Sequence, residues 1–274
     1  GHGNFQAAAA PVRAGLFVGK GYHIWPAVGG QGCVAHHALD VEPAVCLLAW
    51  RIAPTARPEV PLSQSTLSSA TPRIVVFAKA PRPGLAKTRL IPALGAQGAA
   101  DLAGRMLLHT LEQALTSGVG PVELCMSPGP EAPAWEGLVL PHGLQMSDQG
   151  EGDLGQRMAR AVDRVTTTLA HPVLLMGTDC PGLSATHIAQ AAQQLQHHDA
   201  VLVPAEDGGY VLIGLHAPCP EVFTSMAWST AEVAGETLRR LALLRRSVWL
   251  GPRLHDIDEP GDLVHLPLGA KVLS

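Results

Sequence analysis

From Lys79 to Leu90 the chain reads K-A-P-R-P-G-L-A-K-T-R-L, with four basic side chains, Lys79, Arg82, Lys87 and Arg89, and no acid appears between Glu59 and Asp101. A phosphate leaves water only against several positive charges and N–H donors, so this loop suits a phosphate-bearing ligand better than it suits bulk solvent. Pro81, Pro83 and Gly84 fix its backbone while Lys87 and Arg89 lie close together. It is not a Walker loop: aligned on Lys87-Thr88, the two required glycines are Pro81 and Ala86.

Three further loops carry polar chemistry. Gly150-Glu151-Gly152-Asp153-Leu154-Gly155 combines glycines that let a backbone approach a ligand with a helix start that favours an anion, or is simply a helix cap. Gly177-Thr178-Asp179-Cys180-Pro181 offers one carboxylate, suited to holding a divalent cation against a diphosphate or to capping the next turn. Cys180 has no local histidine and reads as a packing residue. The last loop is split between Glu206-Asp207-Gly208-Gly209-Tyr210 and His255-Asp256-Ile257-Asp258-Glu259-Pro260. Asp256 and Asp258 alternate, so an extended segment points both to one side. They suit either a shared cation or the cap of a helix that begins at Pro260.

The elements that must position these loops are legible as alternating strands and helices. Strands are expected at Arg73–Ala78, Val122–Met126, Pro172–Met176, Ala200–Pro204, Tyr210–Leu215 and Ser247–Leu250. Helices are expected from about Gly98 to Thr116, Leu154 to Leu169 (N-cap Asp153), Ser184 to Gln196 (capped by Ser184) and Thr230 to Leu244, with a turn of helix at Pro260–Leu266. This alternation predicts an α/β fold with a mostly parallel sheet covered on both faces and one antiparallel interruption at Gly208-Gly209. Ligands of such sheets sit beyond the carboxyl ends of the strands, where all four loops fall.

The 274 residues are 47% hydrophobic and 15% charged, with net charge −4. That excludes wholesale disorder and a general affinity for nucleic acid or acidic membrane. No apolar run approaches the ~20 residues of a membrane span. Five scattered cysteines without a C-x-x-C pair indicate neither a disulfide framework nor a zinc site, and point to a reduced, cytoplasmic protein. The thirteen histidines form no H-E-x-x-H arrangement and read as surface or packing residues. The first methionine is Met106. Residues 1–71 sustain no long periodic pattern and end in a Ser/Thr-rich stretch, so they read as a weakly ordered extension: a fragment, a tagged chain or a frame extended upstream. The transferase-like domain is expected over 72–268, with a tail at 269–274.

The stretch from Ile74 to about Leu266 resembles the GT-A-type transferases known as radical-SAM/selenodomain-associated transferase 1, or arsenosugar-biosynthesis-type glycosyltransferases. The matching text is F-A-K-A-P-R-P-G-L-A-K-T-R-L (77–90), G-E-G-D-L-G-Q-R-M (150–158), G-T-D-C-P-G-L (177–183), P-A-E-D-G-G-Y-V-L-I-G-L (204–215), W-S-T (228–230) and D-I-D-E-P-G-D-L (256–263). The resemblance implies a GT-A three-layer sandwich that binds a nucleotide-diphospho-sugar or a nucleoside triphosphate with Mg²⁺ or Mn²⁺. By position, Lys79, Lys87 and Arg89 would bind phosphates. Asp179 and Asp258 would hold the metal. Gly152, Asp153 and Gly155 would approach the nucleoside, and Asp207, Gly208, Gly209, Tyr210 and Trp228 would face a small-molecule acceptor. The Asp-x-Asp of many glycosyltransferases is reduced here to Thr178-Asp179-Cys180.

The expectation is a metal-dependent glycosyltransferase in which Lys87 and Arg89 neutralise the departing diphosphate and Asp207 is the base. A nucleotidyltransferase releasing pyrophosphate needs the same cations. A non-catalytic nucleotide-binding protein would bind nucleotide without metal dependence.

Overall fold

The computed structural model describes residues 70–266. The expected extension, apart from its last two residues, and the tail lie outside the described residues. Seven strands, β1 (Arg73–Lys79), β2 (Val122–Ser127), β3 (Gln145–Asp148), β4 (Val173–Met176), β5 (Ala200–Pro204), β6 (Tyr210–Leu215) and β7 (Val248–Leu250), form one sheet in the order β3-β2-β1-β4-β6-β5-β7. All neighbours are parallel except β6, which runs antiparallel to both β4 and β5. The sheet is therefore mixed and mostly parallel, with its one reversed strand at the expected turn.

Alternation along β1 explains the layering. Ile74, Val76 and Ala78 pack on one face with Leu107 and Leu111 of α1 (Ile91–Thr116) and Ile188, Ala191 and Leu195 of α3 (Ala185–Leu195). Val75 points the other way, to Met158 and Val162 of α2 (Leu154–Asp163) and Ala234 and Leu241 of α4 (Val233–Leu243). A central strand buried on both faces has to be apolar at nearly every position, as β1 is. Asp153 and Ser184 cap α2 and α3 as expected, each in a capping box with the residue three positions on, Gln156 and His187.

The differences from expectation have local causes. α1 starts at Ile91 rather than near Gly98, with Pro92 in its first turn and a break at Gly95. α2 ends at Asp163, and Arg164–Thr168 continue as a π-helical turn where the Thr166 and Thr167 hydroxyls donate back to the carbonyls of Val162 and Asp163. α4 begins at Val233 because Thr230 closes a turn, its hydroxyl donating to the Ala227 carbonyl at 2.8 Å. β3 has no apolar signature: Q-M-S-D is an edge strand that is mostly exposed.

At the start of the strands, away from the polar loops, Arg73 and Glu123 are buried side by side on β1 and β2. Arg164 and the Ser147 hydroxyl also donate to the Glu123 carboxylate. At the opposite pole, residues 254–257 extend the β5 edge. Leu254 bridges Ala205, its carbonyl accepts from the Glu206 N–H at 2.9 Å, and the Ile257 N–H donates to the Asp179 carbonyl at 2.8 Å. The Ile257 side chain is buried with Leu90, Leu102 and Met106. These links fix where Asp256 and Asp258 stand.

Candidate active site

A cleft of about 540 Å³ opens beyond the carboxyl ends of the strands. Lys79, Lys87 and Arg89 line it with Asp179, Asp207 and Asp258, so six of the expected site residues share one space. Lys87 sits at its centre with a left-handed backbone (φ 48°), a conformation a non-glycine residue rarely keeps without a reason. Its side chain is only 7% exposed. Nζ lies 2.6 Å from Asp179 Oδ1 and 2.7 Å from Asp258 Oδ1, and donates to the Ile257 carbonyl at 2.6 Å. All three ammonium protons thus have an acceptor. Burial pulls its pKa down, but Asp179 and Asp258 outweigh burial and hold it above the ordinary lysine value.

The other cations divide. Arg89 stands at the rim, 60% exposed and 3.9 Å from Glu259. Lys79, at the end of β1, has no ion-pair partner among the described residues. Arg82 is withdrawn: its guanidinium donates to the carbonyls of Pro133, Ala134 and Glu136 and staples that loop, so the basic loop offers three cations, not four.

Asp207, Asp256 and Asp258 each bring a carboxylate oxygen within 4.8 Å of the others. Burial first, then the charge of Asp207, with Asp258 adding to it, pushes the Asp256 carboxyl up to about 6. Such a hard oxygen set, uneasy with its own charge, fits a divalent cation of the magnesium or manganese type. Asp179 is outside this group, with its carboxylate on Lys87. The capping alternative for Asp258 falls to its neighbours: Glu259 caps the 260–265 turn, and Asp262 accepts from the N–H groups of Asp258 and Glu259. Asp258 is therefore left for Lys87.

Gly152, Asp153 and Gly155 are not among the residues lining the cleft, whereas Gln149, Leu154 and Arg157 are. The Asp153 carboxylate accepts from the Gln156 N–H at 2.8 Å. A Cβ on Gly155 would fall 2.3 Å from the Phe223 carbonyl oxygen, which accounts for that glycine by packing. Gln149 is buried, and its Nε2 donates to Ala78 at 3.1 Å and Cys125 at 3.0 Å, tying the loop to β1 and β2. Arg157 Nε donates to the Gly152 carbonyl at 2.8 Å. Sequence reasoning passed over both. Arg157 had a signal, since it lies one helical turn after the cap at Asp153.

Gly209, Tyr210 and Trp228 line a second cavity of about 260 Å³, which Asp179 and Asp207 share with the cleft. The Tyr210 and Trp228 rings meet edge to face with centroids 6.5 Å apart. Gly208 faces neither cavity. Its φ is +90°, and a Cβ there would fall 2.1 Å from the Ala231 carbonyl oxygen, so it locks the 228–234 segment onto the site. Cys180 is buried and its thiol is pushed up to about 11 by that burial, consistent with a packing role. No described helix is long and apolar enough to cross a membrane.

Residues 110–230 match the family described as "Uncharacterized protein conserved in bacteria (DUF2064)". A crystal structure from Desulfovibrio desulfuricans G20, provisionally described as a nucleotide-diphospho-sugar transferase, is 32% identical over 71% of this chain and 85% of its own, with a TM-score of 0.65. The chain belongs to the DUF2064 family. Its mixed α/β sheet matches that nucleotide-diphospho-sugar-transferase-like structure. Rv0371c from Mycobacterium tuberculosis H37Rv, in a complex with manganese, is 16% identical over 72% of this chain and 98% of its own, with a TM-score of 0.44. A 4-diphosphocytidyl-2C-methyl-D-erythritol synthase from Anaerococcus prevotii DSM 20548 is 11% identical over 71% and 94%, also with a TM-score of 0.44. No curated protein matches the chain.

Proposed function

We propose that the protein is a metal-dependent glycosyltransferase that moves a sugar from a nucleotide-diphospho-sugar to a small-molecule acceptor. The observation that carries this reading is the convergence of Lys79, Lys87 and Arg89 with Asp179, Asp207 and Asp258 on one cleft, in a family with a nucleotide-diphospho-sugar-transferase-like member.

Asp256 and Asp258 would hold the Mg²⁺ or Mn²⁺, with Asp179 joined to Asp258 through Lys87. The metal, when bound, supplies positive charge to the diphosphate. The chain's own part is threefold. Lys79 and Arg89, two cations of the cleft that are not buried against carboxylates, bind the phosphates as they enter. Lys87, fixed by three acceptors, orients Asp179 and Asp258 and adds charge where the diphosphate gains it. Asp207, steadied by the Gly209 N–H on Oδ1 at 2.7 Å, takes the acceptor's proton. The acceptor oxygen then bonds to the anomeric carbon, and the bond from that carbon to the diphosphate oxygen breaks with its electron pair leaving on the nucleoside diphosphate.

The test is product analysis with a panel of nucleotide sugars and nucleoside triphosphates in the presence of Mn²⁺. Release of nucleoside diphosphate with sugar transfer supports the reading. Release of pyrophosphate from a triphosphate overturns it in favour of nucleotidyl transfer, and nucleotide binding that ignores metal, without turnover, overturns it in favour of a binding protein.

A further inference from the structure

The second cavity differs in chemistry from the cleft it adjoins. Phe77, Met158, Leu175, Val211, Trp228 and Val233 build its wall from both helical and sheet sides. Polar side chains enter at the border with the cleft, through Asp179, Asp207 and Ser229, with Thr230 next to them on the cavity's own rim. Three of these are already engaged: Asp179 Oδ1 pairs with Lys87 Nζ at 2.6 Å, Asp207 Oδ1 accepts from Gly209 N–H, and the Thr230 hydroxyl donates to Ala227. The Tyr210 hydroxyl is buried beside Thr237 of α4, which leaves its ring as the surface on offer. The cavity, about 260 Å³, exceeds the roughly 150 Å³ that accommodates benzene in an apolar protein interior.

Resting on the transfer reading above, we infer that the acceptor is a compact apolar alcohol, a phenol or an alicyclic alcohol, seated in this cavity with its single hydroxyl at Asp207. The Tyr210–Trp228 pair and Phe77 give flat, rigid faces for a ring, and Met158 and Met176 adapt to its substituents. A polyol is disfavoured there, because each hydroxyl carried past the border would lose water without gaining a partner. The shared wall supplies the meeting point: a hydroxyl entering from the apolar side reaches Asp207 where the phosphate cleft begins.

The experiment is calorimetry of the full chain with p-cresol and cyclohexylmethanol against glycerol and glucose, in parallel with UDP and GDP with and without Mn²⁺. The apolar alcohols are expected to bind about tenfold tighter than the polyols or better. Thr230→Trp, made at an exposed position of the cavity border, should weaken p-cresol binding by about tenfold while nucleotide binding stays within about twofold. Trp228→Ala, a second variant, should weaken p-cresol as well. Polyols binding as tightly as p-cresol, or p-cresol binding untouched by both variants, overturns the inference and leaves the transfer reading standing. Failure of both nucleotides to bind with Mn²⁺ overturns the transfer reading and this inference with it.

Discussion

Lys87 Nζ lies 2.7 Å from Asp258 Oδ1 although the two residues are 171 positions apart in the chain. A contact of that span, with a second carboxylate 2.6 Å away on Asp179, makes the ammonium the joint between the basic loop and the acidic segment. Lys87→Met removes the joint and leaves two close carboxylates without their shared cation. Turnover of the nucleotide sugar should fall by about a hundredfold or more, since fixed charge at a departing diphosphate is a large part of such catalysis. Lys87→Arg should not restore it, because a planar fork cannot replace a point charge held by three acceptors. Steady-state kinetics of both variants checks this.

Metal affinity should follow the Asp256 carboxyl. Its folded pKa stands at about 6, above the unfolded aspartate value, so the proton must leave before a cation binds. Mn²⁺ titrations at pH 5 and pH 7.5 should differ by about tenfold, the weaker binding at the lower pH. In the metal-free protein the sign is opposite: the folded state holds this proton more tightly than the unfolded one, so stability falls as pH rises from about 4 to 6. Asp256→Asn should therefore raise the Tm of the metal-free protein while weakening Mn²⁺, a combination that plain misfolding does not give.

Gly208→Ala should destabilise by about 2 kcal/mol or more, because its Cβ meets the Ala231 carbonyl oxygen in a backbone conformation that already disfavours a side chain. Urea unfolding measures the loss. The same variant should lose acceptor turnover more than nucleotide binding, since the 228–234 segment borders the apolar cavity.

The strand-start network sets an acid limit. Burial raises the Glu123 carboxyl, but the hydrogen bonds from Arg164 and Ser147 and the charge of Arg164 and Arg73 win and hold it below the ordinary glutamate value. Its contribution is present above pH ~4.5 and is lost as pH falls through the lower folded value. Glu123→Gln should cost about 2 kcal/mol at neutral pH and flatten the acid limb of a urea-midpoint profile.

Most of the fold was legible because the central strands are apolar on both faces and the helices carry their own caps, as β1, Asp153 and Ser184 illustrate. β3 was not, since Q-M-S-D lies at an edge with polar side chains in water and carries no pattern to read. In the site, the basic loop and the alternation of Asp256 with Asp258 were visible in the text. Which carboxylates gather was not, because that depends on how residues 254–257 attach to Ala205 and Asp179. Arg82 shows the converse: its charge resembled that of Lys87, and only the loop at Pro133–Glu136 reveals that it is structural.

The wet cleft and the greasy chamber share Asp179 and Asp207, with Phe77, Leu154 and Ser229, as the border a tethered ligand would cross. A nucleoside diphosphate joined by a short linker to a hydrophobic ring could fill both compartments at once, with its second half bound at the high local concentration that tethering creates. An inhibitor of that form would draw its selectivity from the chamber and its grip from the phosphates.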